Sequence, residues 1–230
     1  MHNPQTSEPQ QRCLNGGLVD VKRATNQAVV HRFIHTRFQQ AYQADIQDFL
    51  PNQLVLLNSQ GQLNAALGYQ SAAAGPLYLE QYLTQPIDQI IALRLDLPGL
   101  ARQQIVEIGN LAAISAGATR QLILQLAPHF QQQAVRWLVM TATTPVQQSF
   151  QRLGIAHCLH SLANVQQDAV SGGESDWGQY YHHHPTVLAV DLQTSIATLR
   201  QSPVMVRLLE QAQPPLSDTL LQLPVREDGA

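Results

Sequence analysis

The block from Gln104 to Gly154 constrains the fold more than any other part of the chain. Gln104 to Ala113 is a strand-like run ending in small residues, and Ile114-Ser115-Ala116-Gly117-Ala118 is a small-residue loop. Thr119 to Phe130 follows with Leu122, Ile123, Leu126 and Phe130 on one helical stripe. Pro128, near its end, is expected to kink or stop that helix. Val135 to Thr141 reads as a buried strand. Thr144-Pro145-Val146-Gln147 opens another helix, with Thr144 at the N-cap, Pro145 at the first position and Gln147 completing a capping box. That helix runs to about Leu153 and closes at Gly154.

Around this block the elements are simpler. Gln53 to Asn58 and Leu63 to Gln70 flank Ser59-Gln60-Gly61-Gln62, which predicts a hairpin. Ala28 to Ile34, with its β-branched and aromatic residues, reads as a strand. Thr36 to Gln47 places Phe38, Ala41, Tyr42 and Ile46 at helical spacing. Leu77 to Glu80 reads as a short strand, and Pro86 starts a helix with Ile87, Ile90, Ile91 and Leu95 on one face. Ala169 to Asp176 is a loop, Thr186 to Leu192 a last strand, and Pro203 to Gln211 an apolar helix-like piece. Residues 1–26 are expected to be a flexible leader, 27–200 the folded domain, and 201–230 a helical segment with a flexible tail from Pro214-Pro215 to Arg226–Ala230. Strands alternating with helices behind an antiparallel hairpin predict a mixed α/β fold, not a purely parallel sheet.

Composition narrows the function classes. The chain has 230 residues, 44% hydrophobic, which is enough for a core and too apolar for disorder. A net charge of −3, from 13 Lys+Arg against 16 Asp+Glu, offers no clustered positive surface for nucleic acid. The polar N-terminus lacks the pattern of a signal peptide, and no apolar run approaches the ~18 residues of a membrane span. Cys13 and Cys158 make no disulfide framework. A cytoplasmic protein without integral membrane association is expected.

Four places offer chemistry. The strand–loop–helix at Val106 to Leu126 has the recipe of a pyrophosphate cradle: unpaired N–H groups at a helix start, with only Ala116, Gly117 and Ala118 in front of them. A tight turn between packed elements would look the same. Glu107 sits in an otherwise apolar strand; buried there, its pKa rises and it becomes a candidate general base. The alternative is an exposed Glu107, or one paired with Arg102 or Arg136. Trp177-Gly178-Gln179-Tyr180-Tyr181 offers tyrosine hydroxyls as proton donors, or rings for the core. On a strand, His182 and His184 of the His182-His183-His184 run would share a face, but no companion motif supplies further zinc ligands, so no metal is expected. Cys158, between His157 and His160, reads as a buried thiol.

These residues in combination resemble the bacterial thermostable hemolysin family over roughly residues 25–195. The resemblance rests on Phe49-Leu50-Pro51, Leu67-Gly68-Tyr69-Gln70-Ser71-Ala72 and Leu77-Tyr78-Leu79-Glu80-Gln81-Tyr82-Leu83 with Pro86-Ile87. It continues in Val106-Glu107-Ile108-Gly109-Asn110-Leu111-Ala112, in Trp137 to Thr143, and in Trp177 to Tyr181 with Pro185 and Val187. The layout is similar to the GNAT acyltransferase fold and to acyl-homoserine-lactone synthases. It implies a single-domain, mainly antiparallel central sheet flanked by helices, splayed between Asn110-Leu111-Ala112 and Met140-Thr141. It also implies an acyltransferase with acyl-CoA or an acyl carrier protein as co-substrate, a small amine acceptor, and no permanently bound cofactor. Glu107 and Asn110 are then the catalytic candidates in the strand, with Tyr180 or Tyr181 protonating the leaving thiolate. Leu111, Ala112, Ala113, Ala116, Gly117, Ala118, Thr119 and Thr141 would hold the thioester. Two departures stand out. The Arg or Gln usual two residues before the first loop glycine is replaced by Ala113 or Ile114, and Gly109-Asn110 stands where the synthases carry Ser-Arg. The family name itself points to the other reading, a membrane-active cytolysin. A domain that binds thioesters without turnover is a third.

Overall fold

The computed structural model describes residues 17–165, 176–211, 215–218 and 223. Cys13, the expected leader up to residue 16, the loop at 169–175, Pro214 and the tail end at 226–230 lie outside the described residues.

The chain opens with β1 (Gly17–Val21) and α1 (Ala24–Tyr42), then forms the hairpin β2 (Asn52–Leu57) and β3 (Leu63–Ser71). A 3₁₀ turn at Tyr78–Tyr82 leads to α2 (Ile87–Leu95). The central block is β4 (Ile105–Ala113), α3 (Ala116–Gln132), β5 (Trp137–Ala142) and α4 (Thr144–Arg152). Then come β6 (Leu159–Asn164), a 3₁₀ turn at Tyr180–His183, β7 (Thr186–Asp191), α5 (Leu192–Leu199), α6 (Pro203–Gln211) and the short β8 (Leu216–Ser217).

One eight-stranded sheet runs β6-β7-β5-β4-β3-β2-β1-β8. β4–β5 and β1–β8 pair in parallel and the other neighbours are antiparallel, so the sheet is mixed and mainly antiparallel, as expected. One face packs in a single cluster: Leu54, Leu67, Val106, Ile108, Leu138 and Val190 against Leu122, Leu126 and Phe130 of α3 and Ile196 and Leu199 of α5. The opposite face is covered in two separate pieces. Val30, Ile34 and Phe38 of α1 pack on Val19, Val55 and Ala66. Ile87, Ile90 and Ile91 of α2 pack on Ile105, Trp137 and Val187. Two covers on one face leave a seam over the middle of the sheet. No helix among the described residues is long and apolar enough to cross a membrane.

Several local expectations are corrected. Ala28 to Ile34 is helix: Val30, Ile34 and Phe38, four residues apart, bury one stripe, so tertiary packing overrides the β-branched propensity. Residues 17–26 are not loose, because Gly17–Val21 pairs along β2 and α1 starts at Ala24. Leu77 to Glu80 is a turn, not a strand: Glu80 accepts from the N–H of Leu77 and of Ile87, which fixes a tight coil. α3 begins at Ala116 and runs through Pro128 to Gln132, since a proline forfeits one ladder bond without ending a well-packed helix. α4 begins one residue earlier than expected, with Thr143 at the cap. Gln147 donates to the Ala142 carbonyl and forms no capping box. β6 and α5 carried no clear pattern in the sequence and were not expected.

The C-terminal tail is also partly built into the domain. Asp218 is fully buried and accepts hydrogen bonds from the N–H of Lys22 (2.8 Å) and Arg23 (3.1 Å) and from Asn26 Nδ2 (2.7 Å), at the start of α1. Leu223 donates its N–H to Asn26 Oδ1. Replacing Asp218 by Ala leaves these donors unsatisfied and is expected to lower stability by about 2–3 kcal/mol in urea titration. A loss under about 0.5 kcal/mol would show that the tail does not support α1.

Candidate active site

The seam on the sheet coincides with an opening between β4 and β5. The two strands pair only from Ile105↔Trp137 to Ile108↔Met140, so the β4 edge from Gly109 onward has no partner on β5. On its other side β4 pairs Gly68↔Gly109 and then Ala66↔Ala112, which leaves one residue too many in β4. This is a bulge at Asn110-Leu111, and Asn110 takes the left-handed conformation with φ of 50°. Its side chain holds the bulge in place. Oδ1 accepts from Leu50 N–H at 2.9 Å and Nδ2 donates to the Asp48 carbonyl at 3.0 Å. The preceding residue must be small: a Cβ on Gly109 would lie 2.8 Å from Leu50 Cδ1.

The cavity over this opening measures about 110 Å³. That is several times the ~10–15 Å³ one water needs, so it is a site and not a packing defect. Glu107, Asn110, Leu111, Thr141 and Tyr180 all line it, brought together from β4, β5 and the Tyr180–His183 turn. A second lobe of about 230 Å³ shares the Phe38, Tyr42, Leu111 and Val146 walls and reaches the start of α3 through Ala112, Ala113, Ala116 and Thr119.

Glu107 is 3% exposed. It accepts from the backbone N–H of Tyr78 at 2.7 Å and of Leu79 at 3.0 Å, so the carboxylate caps the 3₁₀ turn folded over it. Neither arginine considered for it is its partner. Arg102 binds Glu80 and Asp88, and Arg136 lies 3.9 Å from Asp191. Burial pushes the Glu107 pKa from 4.5 up to about 7, and the two N–H donors only partly offset this.

The aromatic segment divides. Tyr180 is buried and donates its hydroxyl to the Thr141 carbonyl at 3.1 Å; Tyr181 meets the Tyr82 hydroxyl at 3.2 Å and does not line the cavity. Burial raises the pKa of both. Gly178, with φ of 47°, lets this segment press against α1; a Cβ there would collide with the Tyr42 and Gln43 carbonyls. His182 and His183 lie in the 3₁₀ turn and His184 is left-handed, so the strand that would have aligned His182 with His184 is not formed. Cys158 is buried.

Two residues were missed in the sequence. Tyr78 lines the cavity, and its buried hydroxyl has no hydrogen-bond partner among the described residues, although Gln81 and Trp177 sit beside it. Arg37 of α1 lies in the second lobe, donating from Nε to the Ala113 carbonyl at 3.1 Å. Arg37 fell within the expected helix Thr36 to Gln47, but nothing in its spacing marked it as facing the start of α3. At the start of α3, Ser115 Oγ accepts from Ala118 N–H and the Ser115 carbonyl accepts from Thr119. The N–H groups of Ala116 and Gly117 have no partner among the described residues. Nothing but Ser115 Oγ, at 3.5 Å, stands near the Cβ position of Gly117.

The raised Glu107 pKa has a measurable consequence. Between pH 4.5 and about 7 the folded state binds more protons at this group than the unfolded one. Its contribution therefore falls as pH rises through that window, by an amount on the order of 3 kcal/mol. Urea titrations from pH 4.5 to 8 should show a decline that Glu107→Gln removes. Parallel profiles for the two proteins would place the Glu107 pKa near its ordinary value.

The fold has known counterparts. The acyl-homoserine-lactone synthase LasI superposes with a TM-score of 0.52 at 14% identity, covering 80% of this chain and 93% of LasI. FeeM, an N-acyl amino acid synthase from uncultured soil microbes, gives 0.52 at 12% identity over 84% of this chain and 97% of FeeM. BjaI, a CoA-dependent acyl-homoserine-lactone synthase with SAM and isopentyl-CoA, gives 0.53 at 10% identity over 88% and 94%. Among curated proteins, no sequence matches. The model of the thermostable hemolysin family matches residues 21–196, which run from the last residue of β1 into α5 and include every described residue lining the two lobes, and the chain belongs to that family.

Proposed function

We propose that this protein is a GNAT-like N-acyltransferase that moves an acyl group from a thioester, carried by coenzyme A or an acyl carrier protein, to an amine. The observation that carries the reading is Glu107: a buried carboxyl with a pKa raised to about 7, lining a cavity where β4 and β5 part. The fold it shares with LasI, FeeM and BjaI, acyl-transferring synthases by their descriptions, supports the same reading.

The residues divide the work. The start of α3 receives the phosphate of the donor on the N–H groups of Ala116 and Gly117, with Ala113 and Thr119 lining the lobe and Ala118 packed behind it in the core. Arg37 supplies the positive charge that the loop itself lacks. The thioester then lies along the open β4 edge, where backbone groups near Leu111, Ala112 and Thr141 polarise its carbonyl. Glu107 takes a proton from the amine as nitrogen attacks the carbonyl carbon. The new C–N bond forms, the C–S bond breaks, and the thiolate departs with a proton. Tyr78 is better placed to deliver that proton than Tyr180 or Tyr181, whose hydroxyls are engaged with Thr141 and Tyr82. Asn110 acts through the bulge, as a positioning residue.

Donor binding is tested by thermal shift with a ladder of acyl-CoAs and with an acylated carrier protein. At a ligand concentration of ~100 times Kd the stabilisation is ~2.7 kcal/mol, roughly 5–10 °C for a domain of this size. The shift should grow with chain length, and Gly117→Glu or Arg37→Ala should remove most of it. No shift with either donor class would contradict the proposal.

Turnover separates the catalytic roles. Glu107→Gln is expected to lower kcat by roughly 10²–10⁴-fold. Tyr78→Phe should lower kcat with little change in KM for the thioester, whereas Tyr180→Phe should cost about 1 kcal/mol of stability and leave most of the rate. Equal rates for the wild type and Tyr78→Phe would return the proton donor to Tyr180 or Tyr181.

A further inference from the structure

Charge is unevenly divided between the two lobes. Among the described residues, Arg37 is the charged residue of the lobe at α3, and no acidic side chain lines it. The lobe over Glu107 has the reverse character. Among the described residues, Asp48 and Glu107 are its charged lining residues, and no Lys, Arg or His lines it. Its other walls are rich in rings, including Phe38, Tyr42, Phe49 and Trp177. Carboxylates beside aromatic faces favour a cation and oppose an anion. Two buried donors of this lobe, Tyr78 Oη and Trp177 Nε1, are neutral and lie beside each other. They can satisfy an uncharged oxygen, such as a hydroxyl or the thioester carbonyl. A substrate carboxylate would face Asp48 and Glu107, with no Lys, Arg or His among the described lining residues to neutralise it.

We infer that the acceptor bound in the Glu107 lobe is an amine carrying no acidic group, such as an alkylamine, arylalkylamine or amino alcohol, and that Asp48 selects it over the matching α-amino acid. The inference rests on the acyltransferase reading for the identity of the lobe as an acceptor site, but the charge selection follows from the lining alone. Asp48 is positioned for this by the same bulge that shapes the site, since Asn110 holds its carbonyl.

Pairs of compounds that differ only by the α-carboxylate provide the test: tyramine and tyrosine, phenethylamine and phenylalanine, 1,5-diaminopentane and lysine. Each is titrated calorimetrically into the full chain at pH 7.5, without a thioester. The amine of a pair should bind at least about tenfold more tightly than its amino acid. Asp48→Asn should shrink that ratio towards parity by weakening the amine, while the amino acid holds or gains. Amino acids that bind as well as their amines, or no binding by any member at millimolar concentration, would overturn the inference. The same compounds are then incubated with acyl-CoA and analysed for N-acyl product. Amines that bind but are never acylated would remove the transferase reading and leave the charge selection standing. Amino acids acylated as fast as amines would do the opposite.

Discussion

The site depends on one side chain closing a bulge. Asn110 has the left-handed backbone that asparagine tolerates better than most residues, and its amide ties β4 to the Asp48–Leu50 segment through one donated and one accepted bond. The extra residue turns β4 away from β5, and the pairing stops at Ile108↔Met140. The cavity, the free strand edge and the placement of Asp48 all follow from that local change. A regular β4 would continue its parallel ladder and fill the gap. Gly109 and Leu50 belong to the same device, because the Leu50 side chain occupies the space where a Cβ would stand.

The second constraint is a carboxyl that the fold buries without a cation. Two backbone N–H groups from the Tyr78–Tyr82 turn satisfy the Glu107 oxygens, and burial still dominates its pKa. A structural cap alone explains the hydrogen bonds. It does not explain why the turn and the carboxyl both border a cavity, or why the Tyr78 hydroxyl beside it has no hydrogen-bond partner among the described residues. The acid and the turn form one unit: Glu107 orders the turn, and the turn brings Tyr78 to the rim. A change at Glu107 therefore acts on proton transfer and on local order together, so stability and rate need to be read side by side.

The block from β4 to α4 was legible because its signals are local. Small residues after a strand, a 3.6-residue apolar stripe and a Thr-Pro start each act within a few positions. The hairpin at Gly61 was legible for the same reason. What escaped is set by contacts between distant segments. Val30 and Ile34 favour strand by propensity and are helical because α1 must cover β1 to β3. Asp218 reads as a charge in a polar tail, and it is buried because the start of α1 needs an acceptor nearly two hundred residues away. Glu107 was recognisable as a carboxyl in an apolar strand, yet its partner could not be read, since the two arginines considered for it, Arg102 and Arg136, face other acids. Arg37 was read on a helix, but its contact with the Ala113 carbonyl joins segments 76 residues apart, and Tyr78 was hidden by the expectation that residues 77–80 were extended.

The family's name and the geometry of the cleft need not conflict. Both faces of the sheet are already covered by helices, and the described helices include none suited to crossing a bilayer. The core holds Trp137, Phe130 and Leu67 almost wholly out of solvent, while α6 exposes Val204 and Leu208. The proposed reaction offers a different link between the family's name and membranes. It joins an acyl chain to a small amine, and the product has an apolar tail on a compact polar head. Each buried methylene contributes about 0.8 kcal/mol to partitioning, so a long-chain product enters bilayers on its own. If the proposed transfer operates with long-chain donors, the link between the family's name and lysis would run through such an amphiphile, with acyl-chain length setting its strength.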